Sequence, residues 1–399
     1  MKKRKKEPIM KIEPSKRLSH FQTGIFAALD AKKDALLKTG KKVYNLSVGT
    51  PDFPVFPHIQ EALVSAAKNP ENFHYALRDL PELTQAVQAY YQKRFGVTLS
   101  PDEITSVNGS QEGIAHIGMA LCNEGDVVLL PNPGYPVFEV GAYFGYAEQY
   151  FYDLKEENQF LPRFDEIPKD IAERAKYIMV SYPYNPVCAV APRRFYDELI
   201  AFAKKYNIII VHDNAYSDII YDDVYGGSFL ELPEAKELGV ELFSLSKSFN
   251  LTGARVSFVV GNKDVVDAVK LLRSQYDFGM FLPIQHAAIA ALTGPLDGVK
   301  EQCQKYQERR DVLYNGLRSI GWDVRKSEGT MFAWAKIPPN FNTSQEFCME
   351  LMERTGVICT PGDAFGSMGE GYVRFALVLP PETLLEAIDV IDKSGIIRH

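Results

Sequence analysis

The feature that most constrains the fold of this chain is an unbroken run of branched aliphatic residues that leads to a carboxylate. Residues 208–211 read Ile-Ile-Ile-Val, and Asp213 follows them after a single histidine. A strand that is apolar at every position is typical of a parallel sheet covered on both faces. Asp213 then stands at the carboxyl end of the strand, where open α/β sheets bind their ligands. A carboxylate removed from water at such a place requires a cation as its partner.

Predicted strands and helices alternate through the rest of the chain. Apolar or alternating patterns predict strands at residues 43–48, 103–107, 126–130, 177–182, 240–243, 256–261, 322–324, 330–335 and 357–359. Periodic patterns predict helices at residues 21–37, 81–95, 110–121, 192–206, 297–320 and 344–353, one or two more within 263–292, and a final helix near the C-terminus. The alternation predicts an α/β fold with a mostly parallel sheet. The Gly294-Pro295 dipeptide interrupts the pattern and predicts a change of domain.

Composition excludes several classes of protein. With 399 residues, 46% hydrophobic and 24% charged, the chain can form two or three folded domains. The formal net charge of −7 offers no basic surface for nucleic acid, and no apolar run reaches the ~18 residues that a membrane span needs. Five cysteines without a Cys-x-x-Cys pair predict neither a metal site nor a disulfide framework, which favours a cytoplasmic protein. The basic residues 2–6 are not followed by an apolar segment, so we expect a solvated terminus rather than a secretory signal.

Lys247 is the strongest candidate for a reactive group. It stands between the predicted strands 240–243 and 256–261, close to the hydroxyl groups of Ser244 and Ser246. A lysine on such a connection has no helix surface to solvate it, and partial loss of hydration lowers its pKa and frees the amine as a nucleophile. Taken alone, a loop lysine is more often an ordinary surface residue. The surrounding motifs decide between these interpretations.

The segment Ser244-Leu-Ser-Lys247, with Arg255 eight residues after the lysine, resembles the cofactor attachment signature of the class I and II aminotransferases. These are pyridoxal 5′-phosphate (PLP) enzymes of fold type I. The resemblance extends over roughly residues 20–395, and is closest to the branch of LL-diaminopimelate aminotransferase-like enzymes.

The resemblance implies a division of the chain into a large and a small domain. Residues 60–294 would form the large PLP-binding domain, with a mostly parallel seven-stranded sheet between helices. Residues 295–399 would form a smaller α+β domain. Residues 1–59 would supply an N-terminal arm and part of that small domain.

The resemblance also assigns roles around the cofactor ring. Lys247 would hold PLP as a Schiff base. Asp213 would face the protonated ring nitrogen and so make the ring an electron sink. Asn185 and Tyr216 would bond the phenolic oxygen, and Tyr135 would cover the ring. Of these residues, Lys247, Asp213 and Tyr216 are the predicted catalytic ones.

The phosphate would be held by a guanidinium, hydroxyl groups and a helix N-terminus, which are the partners that suit a dianion. Arg255 would supply the guanidinium, and Tyr75 would reach the phosphate of the other subunit in a homodimer. The remaining cofactor contacts implied by the resemblance are Gly109, Ser110, Gln111, Ser244 and Ser246. From its residues alone, the Asn108-Gly109-Ser110 turn is better interpreted as a plain helix start that Ser110 caps.

The substrate α-carboxylate would be held by Arg374, with Asn185 and Gly49. Two positions depart from the family pattern. Cys188 stands where a glycine is usual after the Asn-Pro turn, and a left-handed backbone there would cost free energy. Ala254 stands where a tryptophan is usual before the arginine.

The function implied is transfer of an amino group between an L-amino acid and a 2-oxo acid, with Lys247 moving the substrate Cα proton. Another PLP enzyme of the same fold, such as a C–S β-lyase, would share these residues. A non-catalytic regulatory protein on the same scaffold is the alternative from another class. Conversion of the cofactor by an amino donor, reversed by 2-oxoglutarate, would distinguish the transferase from the lyase. Pyruvate and ammonia released from a cysteine-type substrate would indicate the lyase.

Overall fold

The structure is a computed structural model that describes residues 10, 12–21, 31–34, 36–224, 226–275 and 277–398. Most of the predicted helix 21–37 lies outside these residues, so the described part does not test it. Among the described residues, no helix combines the length and the apolar content that crossing a lipid bilayer requires.

A seven-stranded sheet forms the centre of the larger part of the chain. Its order is β2-β8-β7-β6-β5-β3-β4, and the neighbours from β7 to β4 run parallel, whereas β8 runs antiparallel to β2 and β7. The predicted α/β fold with a mostly parallel seven-stranded sheet is therefore confirmed. The strands are β2 (Ile104–Val107), β3 (Val127–Asn132), β4 (Glu148–Asp153), β5 (Ala175–Ser181), β6 (Ile209–Asp213), β7 (Gly239–Ser244) and β8 (Ser257–Gly261).

Helices connect these strands and cover the sheet. The three central strands are buried at nearly every position, as the run at residues 208–211 predicts. The helices with described bounds are Pro57–Ala67, Pro81–Phe95, Ser110–Leu121, Phe138–Phe144, Lys169–Arg174, Arg193–Tyr206, Ala235–Leu238, Leu245–Ser248, Lys263–Arg273, Leu282–Thr293, Asp297–Ser319, Ser344–Thr355 and Pro381–Ser394.

A smaller sheet of three antiparallel strands lies in the C-terminal part, in the order β11-β12-β9. Strands β1 and β10 form a separate parallel pair. The segment that precedes the large sheet in the sequence therefore pairs with a segment that follows the sheet. The backbone N–H of Ala376 also donates to the carbonyl of Leu46 at 2.7 Å. These contacts bring the segment that carries Gly49 next to the strand that carries Arg374. The strands are β1 (Tyr44–Asn45), β9 (Phe332–Lys336), β10 (Val357–Ile358), β11 (Thr360–Pro361) and β12 (Tyr372–Ala376).

Two local expectations differ from the structure. Lys247 lies on the connection between β7 and β8, as predicted, but this connection begins with a single helical turn, Leu245–Ser248, whose N-cap is the Ser244 side chain. Ser110 is not a cap but the first residue of its helix, and the cap position belongs to Gly109. Both differences arise because the chain must turn sharply at the end of a buried strand, where hydroxyl residues and glycine close the first helical turn.

Candidate active site

A cavity of about 520 Å³ opens where strands β5, β6 and β7 end. These strands finish at Ser181, Asp213 and Ser244, so the cavity lies at the carboxyl edge of the parallel sheet. The predicted site residues that line it are Gly49, Ser110, Gln111, Tyr135, Asn185, Asp213, Tyr216, Ser244, Ser246, Lys247, Arg255 and Arg374. Two predicted residues do not line it. Gly109 lies behind Arg255, and Tyr75 is 85% exposed on the surface of its own chain.

The Lys247 amine points into this cavity and donates to the backbone carbonyl of Gly49 at 2.8 Å. Burial lowers the pKa of Lys247 to about 8, and the positive charges of Arg374 and Arg255 act in the same direction. Asp213 opposes the shift more weakly. A lysine in this state is a neutral amine for a substantial fraction of the time near pH 8, which is the form that attacks a carbonyl carbon.

Asp213 ends β6 with its carboxylate buried in the cavity wall. Burial raises the pKa of Asp213 to about 6, while the neighbouring His212 and the backbone N–H of Ala215 favour the ionised form. Among the residues that the structure describes, Oδ1 of Asp213 has no hydrogen-bond partner. A buried carboxylate oxygen without a partner is costly, so the site is built to receive a cationic group there.

A buried hydrogen-bond network supports β6 from its opposite face. The fully buried carboxylate of Glu241 contacts Nδ1 of His212 at 3.0 Å and accepts from the hydroxyls of Tyr91 at 2.8 Å and Ser228 at 2.9 Å. Glu241 lies on the neighbouring strand β7, directly beside His212 in the sheet register. His212 is thus held in place one residue before Asp213, in a structural rather than a catalytic position.

The part of the cavity wall formed by Ser110 and Arg255 is suited to an anion. The helix Ser110–Leu121 begins there, so free backbone N–H groups and the positive end of the helix face the cavity. The Arg255 guanidinium lies beside this turn, where a Cβ atom on Gly109 would be 2.1 Å from Nη2. Arg255 itself has a positive φ of 56°, held by a bond from Nη1 to the carbonyl of Thr252 at 3.1 Å. Strain of this kind is retained where the surrounding structure fixes a side chain for binding.

Hydrogen bonding also fixes an aromatic ring in the wall of the cavity. The amide of Gln111 donates to the Tyr135 hydroxyl at 3.0 Å, which ties the ring to the start of the helix. Tyr216 lies across the cavity with its ring 5.9 Å from the Lys247 amine, and burial raises its pKa. The Tyr216 hydroxyl therefore stays protonated and can serve as a hydrogen-bond donor.

Arg374 is buried on β12 with its guanidinium facing the cavity. Nη1 donates to Oδ1 of Asn185 at 2.7 Å and Nη2 to the carbonyl of Ser47 at 3.3 Å. Burial lowers the pKa of Arg374 to about 10, which still leaves it charged at neutral pH. Within the described part of the chain, its Nε has no acceptor. The group is therefore prepared for an anionic ligand.

Two aromatic residues that sequence reasoning missed enclose Arg374. The centre of its guanidinium lies 4.0 Å from the ring of Phe332 and 4.6 Å from that of Phe365. Phe332 also explains Gly49, because a Cβ atom at Gly49 would lie 2.4 Å from the Phe332 ring. The sequence carries no signal for either phenylalanine, since both resemble ordinary core residues until the small sheet folds against the large one.

The turn that carries Asn185 accommodates the unusual Cys188. Cys188 has a φ of 62°, the left-handed conformation that a glycine would adopt without cost. Its thiol is buried, contacts the carbonyl of Pro186 at 3.2 Å, and has its pKa raised to about 11 by burial. The thiol is therefore inert, and the turn keeps its shape despite the substitution.

These features fit PLP and an amino acid together. Within the described residues, Oδ1 of Asp213 has no partner and would accept a hydrogen bond from a protonated pyridine ring, and Nε of Arg374 has no acceptor and would bond an α-carboxylate. The amine of Lys247 lies in the same cavity, and the cavity wall at Arg255 suits a phosphate. The side chains that line the cavity are therefore those expected around a cofactor with a cationic ring and a dianionic phosphate.

Comparison with known proteins gives the same result for the whole chain. The model of the family "Aminotransferase class I and II" matches residues 41–391. The chain is 41% identical over 380 residues to the LL-diaminopimelate aminotransferase of Moorella thermoacetica, covering 95% of this chain and 97% of that protein. It is 42% identical to the LL-diaminopimelate aminotransferase of Aquifex aeolicus, covering 95% and 98%. Among solved structures it resembles substrate-bound BacF from Bacillus subtilis, with 38% identity, a TM-score of 0.92, and coverage of 96% and 98%.

Proposed function

We propose roles for the side chains of this cavity from the premise that the chain belongs to the aminotransferase class I and II family. The chain is a PLP-dependent aminotransferase of fold type I, in the branch of LL-diaminopimelate aminotransferase-like enzymes. One observation carries the assignment of roles. Asp213 Oδ1 and Arg374 Nε are oppositely charged, buried and unpartnered among the described residues, and both side chains line the cavity that contains the Lys247 amine.

PLP would be held at both ends. Asp213 would pair with the ring nitrogen, and Asn185 and Tyr216 would serve the phenolic oxygen. The phosphate would contact Arg255, with Gly109, Ser110, Gln111, Ser244 and Ser246 as the surrounding group. PLP supplies an aldehyde that accepts the amino group and a ring that withdraws electrons from the substrate Cα.

Lys247 would have two duties. Its amine is the covalent attachment point for the cofactor, and after the substrate amine displaces it, the same nitrogen removes the Cα proton as a general base. A pKa of about 8 suits both duties, because the amine is neutral often enough to accept a proton and basic enough to hold it. Arg374 and Asn185 would fix the α-carboxylate, with Gly49, whose bare Cα packs against the Phe332 ring, as the third contact.

A half-reaction test addresses this function. Purified protein loaded with PLP should lose the absorbance of the bound aldehyde form when an amino donor is added and recover it with 2-oxoglutarate. Lys247→Ala should abolish both changes, and borohydride should leave no protein-bound adduct in that variant. Lys263→Ala, which removes an exposed lysine on a distant helix, is the matched control and should behave as wild type. Release of pyruvate and ammonia from a cysteine-type donor without cofactor conversion would assign the chain to the lyases instead.

We also propose that the active enzyme is a homodimer in which Tyr75 serves the partner's phosphate site. Tyr75 is 85% exposed and lies in an apolar patch with Phe73, Leu77, Phe278 and Phe281. An exposed aromatic patch of this kind is typical of a protein–protein interface. Sedimentation should give twice the monomer mass.

A complementation experiment tests the shared site directly. Lys247→Ala and Tyr75→Phe subunits are each expected to be impaired, Tyr75→Phe by weaker PLP binding. In a mixed dimer, one site combines an intact Lys247 with an intact Tyr75 from the other chain. Mixing should therefore restore activity above the sum of the two variants, and the absence of any gain would contradict the proposal.

The division into an arm with part of the small domain at 1–59, a large domain at 60–294 and a small domain at 295–399 remains a proposal, testable by limited proteolysis. A cytoplasmic location is likewise proposed, supported by the absence of any disulfide among the five cysteines. Cell fractionation tests it.

A further inference from the structure

The helical segment that carries Lys247 is a single turn, Leu245–Ser248, so its backbone depends on partners from outside the turn. The last carbonyl groups of a helix have no intrahelical donor and must be satisfied by other groups. The carbonyl of Ser246 accepts from the Thr252 hydroxyl at 3.2 Å, which is a local contact. The carbonyl of Lys247 itself is bonded by a side chain from a distant part of the chain.

That side chain is Gln302, which is buried on the helix Asp297–Ser319. Its Nε2 donates to the Lys247 carbonyl at 2.9 Å, and its Oε1 accepts from Nδ2 of Asn250 at 2.7 Å. Because a carbonyl can only accept, Gln302 must turn its NH₂ group toward Lys247 and its oxygen toward Asn250. Both bonds lie away from solvent, where a hydrogen bond is stronger than in water.

Asn250 extends this network to the segment that carries Gly49. Its φ is 58°, a left-handed conformation that asparagine adopts more readily than most residues. Its Nδ2 also donates to the carbonyl of Pro54 at 3.1 Å. The Lys247 amine, at the other end of the side chain, donates to the Gly49 carbonyl at 2.8 Å. The backbone and the amine of the lysine are therefore held against the same neighbouring segment.

The same helix also fixes that neighbouring segment directly. Arg309 donates through Nη1 and Nη2 to the two carboxylate oxygens of Asp52, at 2.7 and 2.8 Å. A bidentate pair of this kind fixes orientation as well as distance. Nη1 of Arg309 also donates to the carbonyl of Leu377 at 2.9 Å, three residues after Arg374. One helix thus holds the lysine turn, the Gly49 segment and the end of β12 in one arrangement.

We propose that Gln302 is a positioning residue for Lys247, which holds the backbone of the lysine turn so that the amine stands where it must react. The inference rests on the proposed function and adds a residue to it. Gln302 does not line the cavity, so it acts through Lys247 and not on the ligands. A misplacement of reacting atoms by about 1 Å can cost about 100-fold in rate.

Two steps depend on that position. In the attachment step, the neutral Lys247 amine adds to the PLP aldehyde carbon, and a C=N bond replaces the C=O bond. The aldehyde oxygen leaves as water with the two amine protons. In the second step, the released amine accepts the proton from the substrate Cα. Both steps should slow when the lysine turn loses its bond to Gln302, whereas binding of PLP and of the amino donor should not weaken.

Covalent attachment to the apoenzyme tests the first step. Gln302→Met removes both hydrogen bonds with a side chain of similar length. At saturating PLP, the rate at which a borohydride-stable Lys247 adduct forms should fall 10- to 100-fold, as measured by mass spectrometry. Gln304→Met, at an exposed position of the same helix, is the matched control and should keep the wild-type rate. Equal rates for Gln302→Met and wild type would overturn the inference. Failure of the wild type to form any Lys247 adduct would instead contradict the proposed function.

Non-covalent binding separates positioning from general damage to the cavity. In Lys247→Ala, PLP binds without attachment, and calorimetry gives its dissociation constant. Adding Gln302→Met to that variant should change the constant less than twofold, because no amine is left to position. A tenfold or greater loss would show that Gln302 supports the cavity itself, and the positioning role would be wrong.

The half-reaction with an L-amino donor tests the proton step. Gln302→Met should lower the rate of cofactor conversion at saturating donor at least tenfold and leave the half-saturating donor concentration within twofold of wild type. A donor deuterated at Cα should react more slowly, with an isotope effect at least as large as in wild type. A change confined to the half-saturating concentration, or an isotope effect close to one, would contradict the assignment.

The pH profile of attachment gives the last readout. The midpoint near pH 8, where the Lys247 amine becomes neutral, should stay in Gln302→Met while the plateau falls. A midpoint moved toward 10.5 would show that the variant hydrates the amine and does not displace it, which would overturn the inference. Gln302→Asn keeps an amide that is one methylene shorter, and its plateau should lie between those of wild type and Gln302→Met. The same outcomes apply to this second variant if Gln302→Met does not fold.

Discussion

A Cβ atom on Gly109 would lie 2.1 Å from Nη2 of Arg255, so the guanidinium packs directly on the bare backbone of the turn. The turn at Gly109 has a φ of +93°, and it opens the helix that faces the anion end of the cavity. We expect Gly109→Ala to displace Arg255 and weaken PLP binding about 10- to 100-fold, since hydrogen bonds to charged groups are worth about 1.5–3 kcal/mol. Titration of the apoenzyme with PLP measures this change.

Gly125 provides a matched control for that substitution. Its φ is +92°, but a Cβ atom there would meet no atom within 4 Å. Gly125→Ala therefore carries the same backbone cost without the collision, and it should lower stability without changing the dissociation constant of PLP. Equal PLP affinities for the two variants would show that Arg255 does not hold the phosphate.

The reactivity of Lys247 should follow its lowered pKa. Because burial, assisted by Arg374 and Arg255, lowers that pKa to about 8, the neutral amine increases as the pH rises through 8. The rate of covalent PLP attachment to the apoenzyme should rise with the same midpoint and then level off. An ordinary lysine, with a pKa of 10.5, would still be gaining reactivity at pH 10. Borohydride quenching followed by mass spectrometry measures the attached fraction at each pH.

Peptide mapping of the same quenched samples contains its own control. Adducts on exposed lysines such as Lys169 provide the reference pH profile in the same samples. If the Lys247 adduct followed the exposed lysines, the cavity would not be lowering the pKa of this amine.

The sequence predicted the elements of the fold that depend on local pattern. The apolar run at residues 208–211 identified a central strand, and its position placed Asp213 at the ligand edge. The resemblance of the Lys247 segment to a known family then assigned expected roles to the other motifs. At Cys188 the sequence left two outcomes open, a left-handed conformation at some cost or a different turn, and the structure has the left-handed conformation.

The sequence could not predict contacts between elements that are distant along the chain. Phe332 and Phe365 enclose Arg374 only because the small sheet folds against the carboxyl edge of the large one. The hydrogen bonds of Asn132 with Ser367 and Met368 join segments more than 230 residues apart, and no local pattern marks them. Helix starts were uncertain for another reason, since Gly109 and Ser110 are both acceptable at a cap position.

The network behind Asp213 should contribute measurably to stability. Glu241 accepts hydrogen bonds from Tyr91 and Ser228 and contacts His212 while fully buried, so Glu241→Gln replaces an acceptor with a group that must donate. We expect the free energy of unfolding to fall by about 3 kcal/mol, the lower end for breaking a buried charged network. Urea denaturation of the apoenzyme measures it. Glu237→Gln, on an exposed part of the preceding helix, should stay within about 0.5 kcal/mol of wild type. A small effect at Glu241 would mean that Gln satisfies the same donors.

The role of Arg374 can be separated from its contribution to the fold by the choice of substrate. Arg374→Lys keeps a positive charge but loses the planar fork that could grip a carboxylate with two parallel bonds and also hold Asn185. We expect kcat/KM for an α-amino acid to fall about 100-fold, mostly through KM. The same half-reaction with 2-phenylethylamine, which lacks the carboxylate, should be nearly unchanged, because the lost contact is absent from that substrate. A comparable loss with the amine would mean that Arg374 acts by positioning Asn185 and the cavity wall, and the carboxylate would then have to bind elsewhere.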